Sequence, residues 1–407
     1  MINKITLKKL PLVLALILSI SGGISSAYSN PLPTQKTAIR TDLPPLPIEE
    51  VGNIEVLPAV FPESWMYIDE SSFSSMFGGK MIVLDVAETK ATKRIKGTAD
   101  KNLIGNFRAA KTREEFYIAE TFHPRGSRGP RTDVLVIYDK KTLSPIKEFV
   151  LDHIRLTALP RRHAMTLSED EKFLYVANFT PAASFTVVDL DSREIVGTIG
   201  TPGCVLPFPT GKRSITSICS NGSLLTTILD NKGNKQSQHR VPQFFDTDDS
   251  PIFERPAIID NMAYFPSFTG DVHTINLQGK IAKHQEMWSL LTPEERKAGW
   301  RPGGLTLMNS DDQGLVYIIM NPKGFDGSQT HGGTEIWIFD PIKKERISKI
   351  PVPKWAVSVA LTRGDEPLLV VTNGEMTLDI FNPRTGELQQ NISDFGNITP
   401  IVIFKAY

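Results

Sequence analysis

The sequence predicts an all-β fold, a seven-bladed β-propeller, and three observations carry the prediction. An apolar strand ending in Asp or Asn recurs along the chain, each time followed by a polar turn and another strand. Asp85, Asp139, Asp189, Asp230, Asn276, Asp340 and Asn382 mark seven such units, about 40 to 65 residues apart. At each marker an Asx side chain can accept from its own downstream backbone and start a turn. Further strand pairs lie between the markers, as in "SEDEKFLYVANF" and "SNGSLLTTIL". Four short strands per unit, repeated radially, are the sequence form of a propeller blade. A β-sandwich or a parallel β-helix would explain the strands but not this period. Ser64–Asp69 can lend a strand to the last blade and close the ring without an exposed edge.

In chain order, the first element is a targeting segment. Residues 1–27 combine a basic start (Lys4, Lys8, Lys9), an apolar run from Leu10 to Ile20 and small residues ending at Ala27. That is the three-part form of a secretory signal peptide. The apolar run is too short to span a bilayer comfortably, so no stable membrane span is expected and the mature chain reads as periplasmic. Residues 28–60 are Pro-rich and lack periodicity, the pattern of an extended arm. The propeller is expected over 61–407.

Composition narrows the function. Of 407 residues, 45 are Lys or Arg and 45 are Asp or Glu, so the formal net charge is zero. A nucleic-acid binder would show a basic excess. Cys204 and Cys219 are separated by 14 residues. In an oxidising compartment, such a pair is most simply a disulfide. A redox pair would more often be Cys-x-x-Cys, and a metal site would need further ligands nearby. No metal site is expected, nor any catalytic residue. The chain shows no nucleophile elbow, Gly-rich phosphate loop or His/Cys metal spacing.

One stretch interrupts the strands. "WSLLTPEERKAGWRPGG", Trp288 to Gly304, carries a full set of helix signals inside the longest marker interval. Thr292 is the N-cap, Pro293 occupies the first helical position, and Glu295 completes a Thr-x-x-Glu capping box. Glu294 and Glu295 face the positive end of the helix dipole, and Gly299 is placed to end the helix in the left-handed conformation. A short surface helix between two strands of one blade follows.

The same stretch resembles the corresponding segment in heavy chains of the quinoprotein amine dehydrogenases, the methylamine and aromatic amine dehydrogenases. "PGCVLPFPTGKRSITSICSNGSL" is similar to that family's cysteine-bearing hairpin, and "SRGPRTDVLVIYDKKTL" to its Arg-Gly-x-Arg-x-Asp turn and following strand. "DSPIFERPAI", "AMTLSEDEKFLYVANFTPAASFTVVDL" and "TEIWIFD" extend the likeness over nearly the whole mature chain. The resemblance implies a propeller that joins a small, cysteine-rich light chain in a heterotetramer of two heavy and two light chains. The light chain would carry tryptophan tryptophylquinone and the catalytic base. The complex would oxidise a primary amine to aldehyde and ammonia and pass electrons to an amicyanin- or azurin-like blue-copper protein. The likeness divides between the aliphatic and aromatic branches, so the amine stays open. The five Trp of this chain do not form a close pair in sequence.

Three sets of residues stand out as site candidates. By the resemblance, Phe73, with Met76 beside it, lines the mouth of the light chain's substrate channel, where an apolar wall favours the hydrocarbon part of an amine. The plainer reading of Phe73 and Phe77 is packing at a blade edge. "FHPRGSRGPRTD" gathers His123, Arg125, Arg128 and Arg131 on one loop, either as a partner-facing patch or as a solvated turn in which Arg131 pairs with Asp133. His163, in "RRHAMTLS", reads as a surface residue or an inter-blade hydrogen-bond partner. The functional alternative is a stand-alone exported propeller that binds a protein or small ligand and catalyses nothing, because fold does not fix function. A propeller lactonase is more distant, for want of a metal-binding cluster of Asp, Glu and Asn.

Overall fold

Strands that read as nearly unbroken apolar runs are buried on both faces. Trp65–Ser71, Glu115–Phe122, Phe173–Thr180 and Val316–Asn321 show this pattern. Strands that alternate or turn polar, such as Lys235–Val241, lie outermost in their sheets with mostly exposed side chains. This gradient from core to solvent across each sheet is what a radial arrangement requires.

The computed structural model describes residues 56–72, 75, 78–156, 160–396 and 399–407. The expected signal peptide, most of the expected arm, and Phe73, Met76 and Phe77 lie outside the described residues. All described residues belong to one compact unit, Ile54–Tyr407. Its strands form antiparallel sheets with very little helix, an all-β propeller. Apolar clusters join each sheet to the next around the ring. Tyr67 and Val83 meet Phe107, Phe116 and Val136; Tyr117 and Ile137 meet Met165, Leu174 and Val176; Phe173 and Val187 meet Ile215 and Leu229. Further clusters continue the series until Ile380 and Ile392 pack on Met66 and Ile82, back at the first sheet. The ring is closed by strand pairing as well, with Trp65–Ser71 running antiparallel to Thr399–Lys405.

Hydrogen bonding divides the described strands into six sheets rather than the seven separate ones expected. One of the six has eight strands, because Glu345–Leu361 continues unbroken for 17 residues. Its first half pairs with Gly333–Asp340 and its second half with Leu369–Asn373.

All seven marker residues act as expected. Asp85, Asp139, Asp189, Asp230, Asn276, Asp340 and Asn382 each accept, through a side-chain oxygen, from the backbone amide two residues downstream. The inserted helix is also as the sequence predicts. It spans Pro293–Lys297, and the reciprocal bonds of the Thr292/Glu295 capping box are both present. Gly299 follows with φ of 87°. What the sequence does not reveal is the helix's second task. Glu295 also accepts from Arg346 Nη1 at 2.9 Å and Lys349 Nζ at 2.8 Å, while Arg296 reaches Asp271 at 2.7 Å. The helix thus clamps two adjacent sheets.

Cys204 and Cys219 form the expected disulfide, across a directly paired position of the strands Cys204–Thr210 and Ser214–Cys219. The link spans 15 residues, which in the chain-entropy model is worth about 3 kcal/mol.

Two predictions follow from this frame. Replacing both cysteines by serine lowers unfolding free energy by about 2–3 kcal/mol in urea melts, with the m-value little changed. The second concerns acid. Burial works to raise the Glu295 carboxyl, but the bonds from Arg346, Lys349 and the Thr292 amide outweigh it and hold the group at about 2. Because the folded value is depressed, the stabilisation is complete above the unfolded carboxylate value and is lost as pH falls toward 2. Wild type therefore loses roughly 2–3 kcal/mol more than Glu295→Gln between pH 6 and pH 2.5. Parallel acid melts of the two proteins would show it.

Candidate functional site

Each sheet of a propeller turns at two opposite rims. Here the turns from second to third strands gather at one rim, and those from innermost to second strands gather at the other. Trp65–Ser71, Glu115–Phe122, Phe173–Thr180 and Val316–Asn321 are second strands, so their C-terminal ends share the first rim. Phe73 and Met76 fall in sequence between Trp65–Ser71 and Gly79–Asp85, the strands whose ends flank this rim. Phe122, 44% exposed, and Phe179, 60% exposed, end two neighbouring second strands there, and Phe325, 55% exposed, follows a third. The disulfide is also at this rim, since Cys204 begins an innermost strand and Cys219 ends a second strand.

Beneath the exposed aromatics runs a buried chain of polar groups. Lys101 Nζ lies 2.9 Å from Asp69 Oδ1, with both side chains fully buried. Ser71 Oγ donates to the same oxygen at 2.9 Å, and Lys101 also donates to the Asn102 carbonyl at 3.0 Å. The Asn102 amide donates to Glu120 at 2.8 Å, and the Asn102 side chain donates to the Thr121 carbonyl at 2.8 Å. Thr121 Oγ1 donates to Asp133 and accepts from Arg155 at 2.9 Å. Asp133 in turn accepts from the Arg155 amide at 3.0 Å and from Arg131 at 2.9 and 2.8 Å. Three cations and three carboxylates are thus strung across three sheets. Burial raises the carboxyls of Asp69 and Glu120, with Lys101 acting against it in each case. Burial also lowers the Arg155 guanidinium to about 10, against the pull of Asp133. A charge in this chain is tolerated only because its neighbour is present.

The loop that carries His123, Arg125, Arg128 and Arg131 divides its residues between two tasks. Arg131 turns inward to Asp133, the pairing that the plainer reading of this loop expects. His123 Nδ1 meets the Gly129 carbonyl at 3.0 Å, and Arg125 and Arg128 pair through their backbones. The side chains of Arg125 and Arg128 stay exposed beside Phe122. The first rim therefore presents aromatic residues and free guanidinium groups over a rigid charged base, a composition suited to a protein partner.

His163 is buried rather than at the surface. It hydrogen-bonds to the backbone of Pro256, next to the strand Ala257–Ile259 of another sheet, and its ring packs 5.1 Å from Phe208. Burial, with the nearby Arg162 and Arg108, pushes the imidazole down to about 3, so it is neutral. Trp300 and Trp337, distant in sequence, pack with ring centroids 5.0 Å apart. Lys349 lies over both rings and Arg346 over Trp337, while Trp337 Nε1 donates to Glu335 at 2.6 Å. Those contacts hold the tilted pair in a packing role. Among the described residues, no group of three or more His, Cys, Asp or Glu side chains is arranged to hold a metal, and no helix is long and apolar enough to cross a membrane.

The described residues thus form an all-β propeller with exposed aromatic and cationic side chains at one rim. The model of the methylamine dehydrogenase heavy chain family matches residues 75–406, and the chain belongs to that family. It is 26% identical over 399 residues to the methylamine dehydrogenase heavy chain of Methylophilus methylotrophus, covering 96% of this chain and 93% of that one. It is also 26% identical over 309 residues to the heavy chain of Methylorubrum extorquens, covering 75% of each. Among solved structures it is similar to the dihydro-heme d1 dehydrogenase NirN. The TM-score is 0.51 at 12% identity, over 82% of this chain and 64% of that one, a likeness of fold alone.

The charged base of the first rim is open to a direct test. Lys101→Met leaves the Asp69 carboxylate buried without its cation, and at pH 7 this costs about 3–5 kcal/mol in urea unfolding. Asp69 is already raised by burial, and loss of Lys101 raises it further. With a folded value above the unfolded one, the variant regains stability as pH falls through the folded value. The deficit at pH 5 is then smaller than at pH 7. A deficit that does not change with pH would mean that lost packing, not the charge, is responsible.

Proposed function

We propose that this chain is the heavy subunit of a periplasmic amine dehydrogenase that oxidises a primary amine to an aldehyde and ammonia. In the overall reaction, water supplies the aldehyde oxygen, and two electrons leave for a small blue-copper protein. The observation that carries this reading is the match of the family model across residues 75–406, on a chain whose first rim is apolar, aromatic and cationic. In this reading the redox group is tryptophan tryptophylquinone of a small light chain, which supplies the two-electron chemistry, and no residue of this chain holds it. This chain's residues bind and position. Phe122, Phe179 and Phe325 offer apolar area to the light chain, Arg125 and Arg128 offer forks to its carboxylates, and the Lys101–Asp69 chain keeps the rim rigid. Phe73 and Met76 wall the mouth of the substrate channel and keep water from the reacting amine. Two copies of each chain make the assembly.

The propeller in this reading has seven blades, the eight-stranded sheet counting as two that share the strand Glu345–Leu361. The seven Asx turns, each at the end of a third strand, support that count.

The test is purification of the native protein from periplasmic extract, with subunit analysis and an absorption spectrum before and after methylamine and an aromatic amine. Co-purification of a small second chain, with a visible band that bleaches on amine addition, is the expected result, and the faster amine identifies the substrate class. A single colourless chain would overturn the proposal and leave a stand-alone binding propeller. In the assembled complex, Phe73→Ala is expected to shift the ratio of kcat/KM between a small and a bulky amine by about tenfold. Its melting temperature should stay at the wild-type value.

A further inference from the structure

The opposite rim holds a feature that the amine-dehydrogenase reading does not use. A cavity of about 660 Å³ lies there, lined by residues of the turns from innermost to second strands, among them Lys111, Glu171 and Asp312, and by Lys405 at the end of the innermost strand Thr399–Lys405. Its deep wall contains Arg108, near the end of the innermost strand Asn106–Ala109, and Arg162. Arg162 crosses toward the ring axis and donates to the carbonyls of Met308 at 3.4 Å and Ile403 at 3.1 Å, which belong to two other sheets.

The carboxylates around the cavity already have partners. Glu171 accepts from the Lys111, Thr112 and Arg113 amides and from the Thr112 hydroxyl. Asp312 accepts from Lys405 Nζ at 2.5 Å and from the Gly364 amide at 2.9 Å. Asp311 is held by the Gln313 and Leu315 amides and the Tyr317 hydroxyl. By contrast, among the described residues neither Arg108 nor Arg162 forms an ion pair with a carboxylate, and Arg108 Nε is shielded from solvent with no hydrogen-bond partner. The two guanidinium groups are close enough to repel. Burial lowers Arg162 to about 10, and Arg108 lowers it further. Burial also lowers Arg108, against the pull of Tyr407 and Glu171. The neighbouring imidazole of His163 is neutral, so it adds no charge and offers no compensation. Two mutually repelling guanidinium groups, drawn on by Tyr407 and Glu171 but ion-paired to no carboxylate, are a costly arrangement on one cavity wall. Their planar forks match the oxygens of a tetrahedral or planar oxyanion, which would satisfy the free donors and cancel the repulsion together.

We propose that this cavity is a binding site for a small oxyanion of the phosphate or sulfate class, held between the Arg108 and Arg162 guanidinium groups. The anion ties an innermost strand to the residue that crosses the ring axis, and so stiffens the centre of the propeller from the rim opposite Phe122 and Phe179. Lys111 Nζ, which lies 5.5 Å from the Tyr407 ring on the cavity's edge, adds a further positive charge along the approach.

The experiment is calorimetric titration of the full chain, in its native assembly, with inorganic phosphate and with sulfate, using sodium chloride at matched ionic strength as the control. Saturable binding of one anion per chain is expected, accompanied by a rise in melting temperature that chloride does not reproduce. Arg108→Gln, which keeps size and polarity and removes no hydrogen bond seen in the structure, is expected to weaken that binding by about tenfold or more. Arg162→Gln serves as the second variant. If either folds, loss of the phosphate response supports the site. The proposal is overturned if phosphate and sulfate act only as chloride does, or if Arg108→Gln binds them as tightly as wild type. Neither result depends on amine oxidation, so failure here is separable from failure of the heavy-subunit reading.

Discussion

A propeller has no closed hydrogen-bonded surface of its own, and the constraint from which the rest of this structure follows is the seam that turns a row of sheets into a ring. Here the seam is the pairing of Trp65–Ser71 with Thr399–Lys405, residues more than 300 positions apart in sequence. Without it, two sheets would present unpaired edges and their facing apolar surfaces to water. With it, Ile401 and Phe404 from the end of the chain pack among Tyr67, Phe107 and Phe116 from its beginning, and the first cluster of the ring is complete. Both rims inherit their geometry from that closure, because the direction of each innermost strand fixes which turns face which way.

The two rims handle buried charge differently. At the rim of Phe122 and Phe179, every cation in the chain from Lys101 to Arg131 has a carboxylate within reach. Such a network is a rigid support, since any displacement separates charges that cannot be rehydrated. At the other rim, carboxylates are used to close turns and clamp neighbouring sheets, as Glu171 and Asp312 do. Arg108 and Arg162 are left over, facing the cavity. The contrast underlies the two proposals, a protein-facing first rim and an anion-binding second one.

Repetition made the fold legible. The seven Asx markers could be read because each turn is a local event: a side-chain oxygen caps an amide two residues on, with no help from distant residues. The same holds for the helix at Pro293–Lys297, where Thr292 and Glu295 specify the start and Gly299 the end. The disulfide was legible from cysteine number and spacing, read with the expectation of export. Separation into sheets was not, because the strand Glu345–Leu361 gives no local signal of where one partner strand hands over to the next. The candidate site was only partly legible. Arg131 and Asp133 are two residues apart, so their pairing could be anticipated, whereas Lys101 with Asp69 and Arg155 with Thr121 are distant pairs that no spacing announces. Of the two readings of His163, the inter-blade hydrogen bond is the one the structure shows and the surface position is not, because basic neighbours in sequence suggest solvent while here the ring is buried against another sheet.

The sequence by itself determined the all-β class, the Asx-turn repeat, the capped helix, the cysteine pair and the family to which the chain belongs. Each of these rests on neighbours within a few residues or on a pattern repeated along the whole chain. Only the tertiary structure decided which strand closes the ring, which charges are compensated in the interior, and which two arginines line a cavity without an ion-paired carboxylate of their own. Those outcomes depend on which distant side chains are brought together and on how completely water is removed from between them. Burial and charge compensation are properties of the packed ring, and no single stretch of chain contains them.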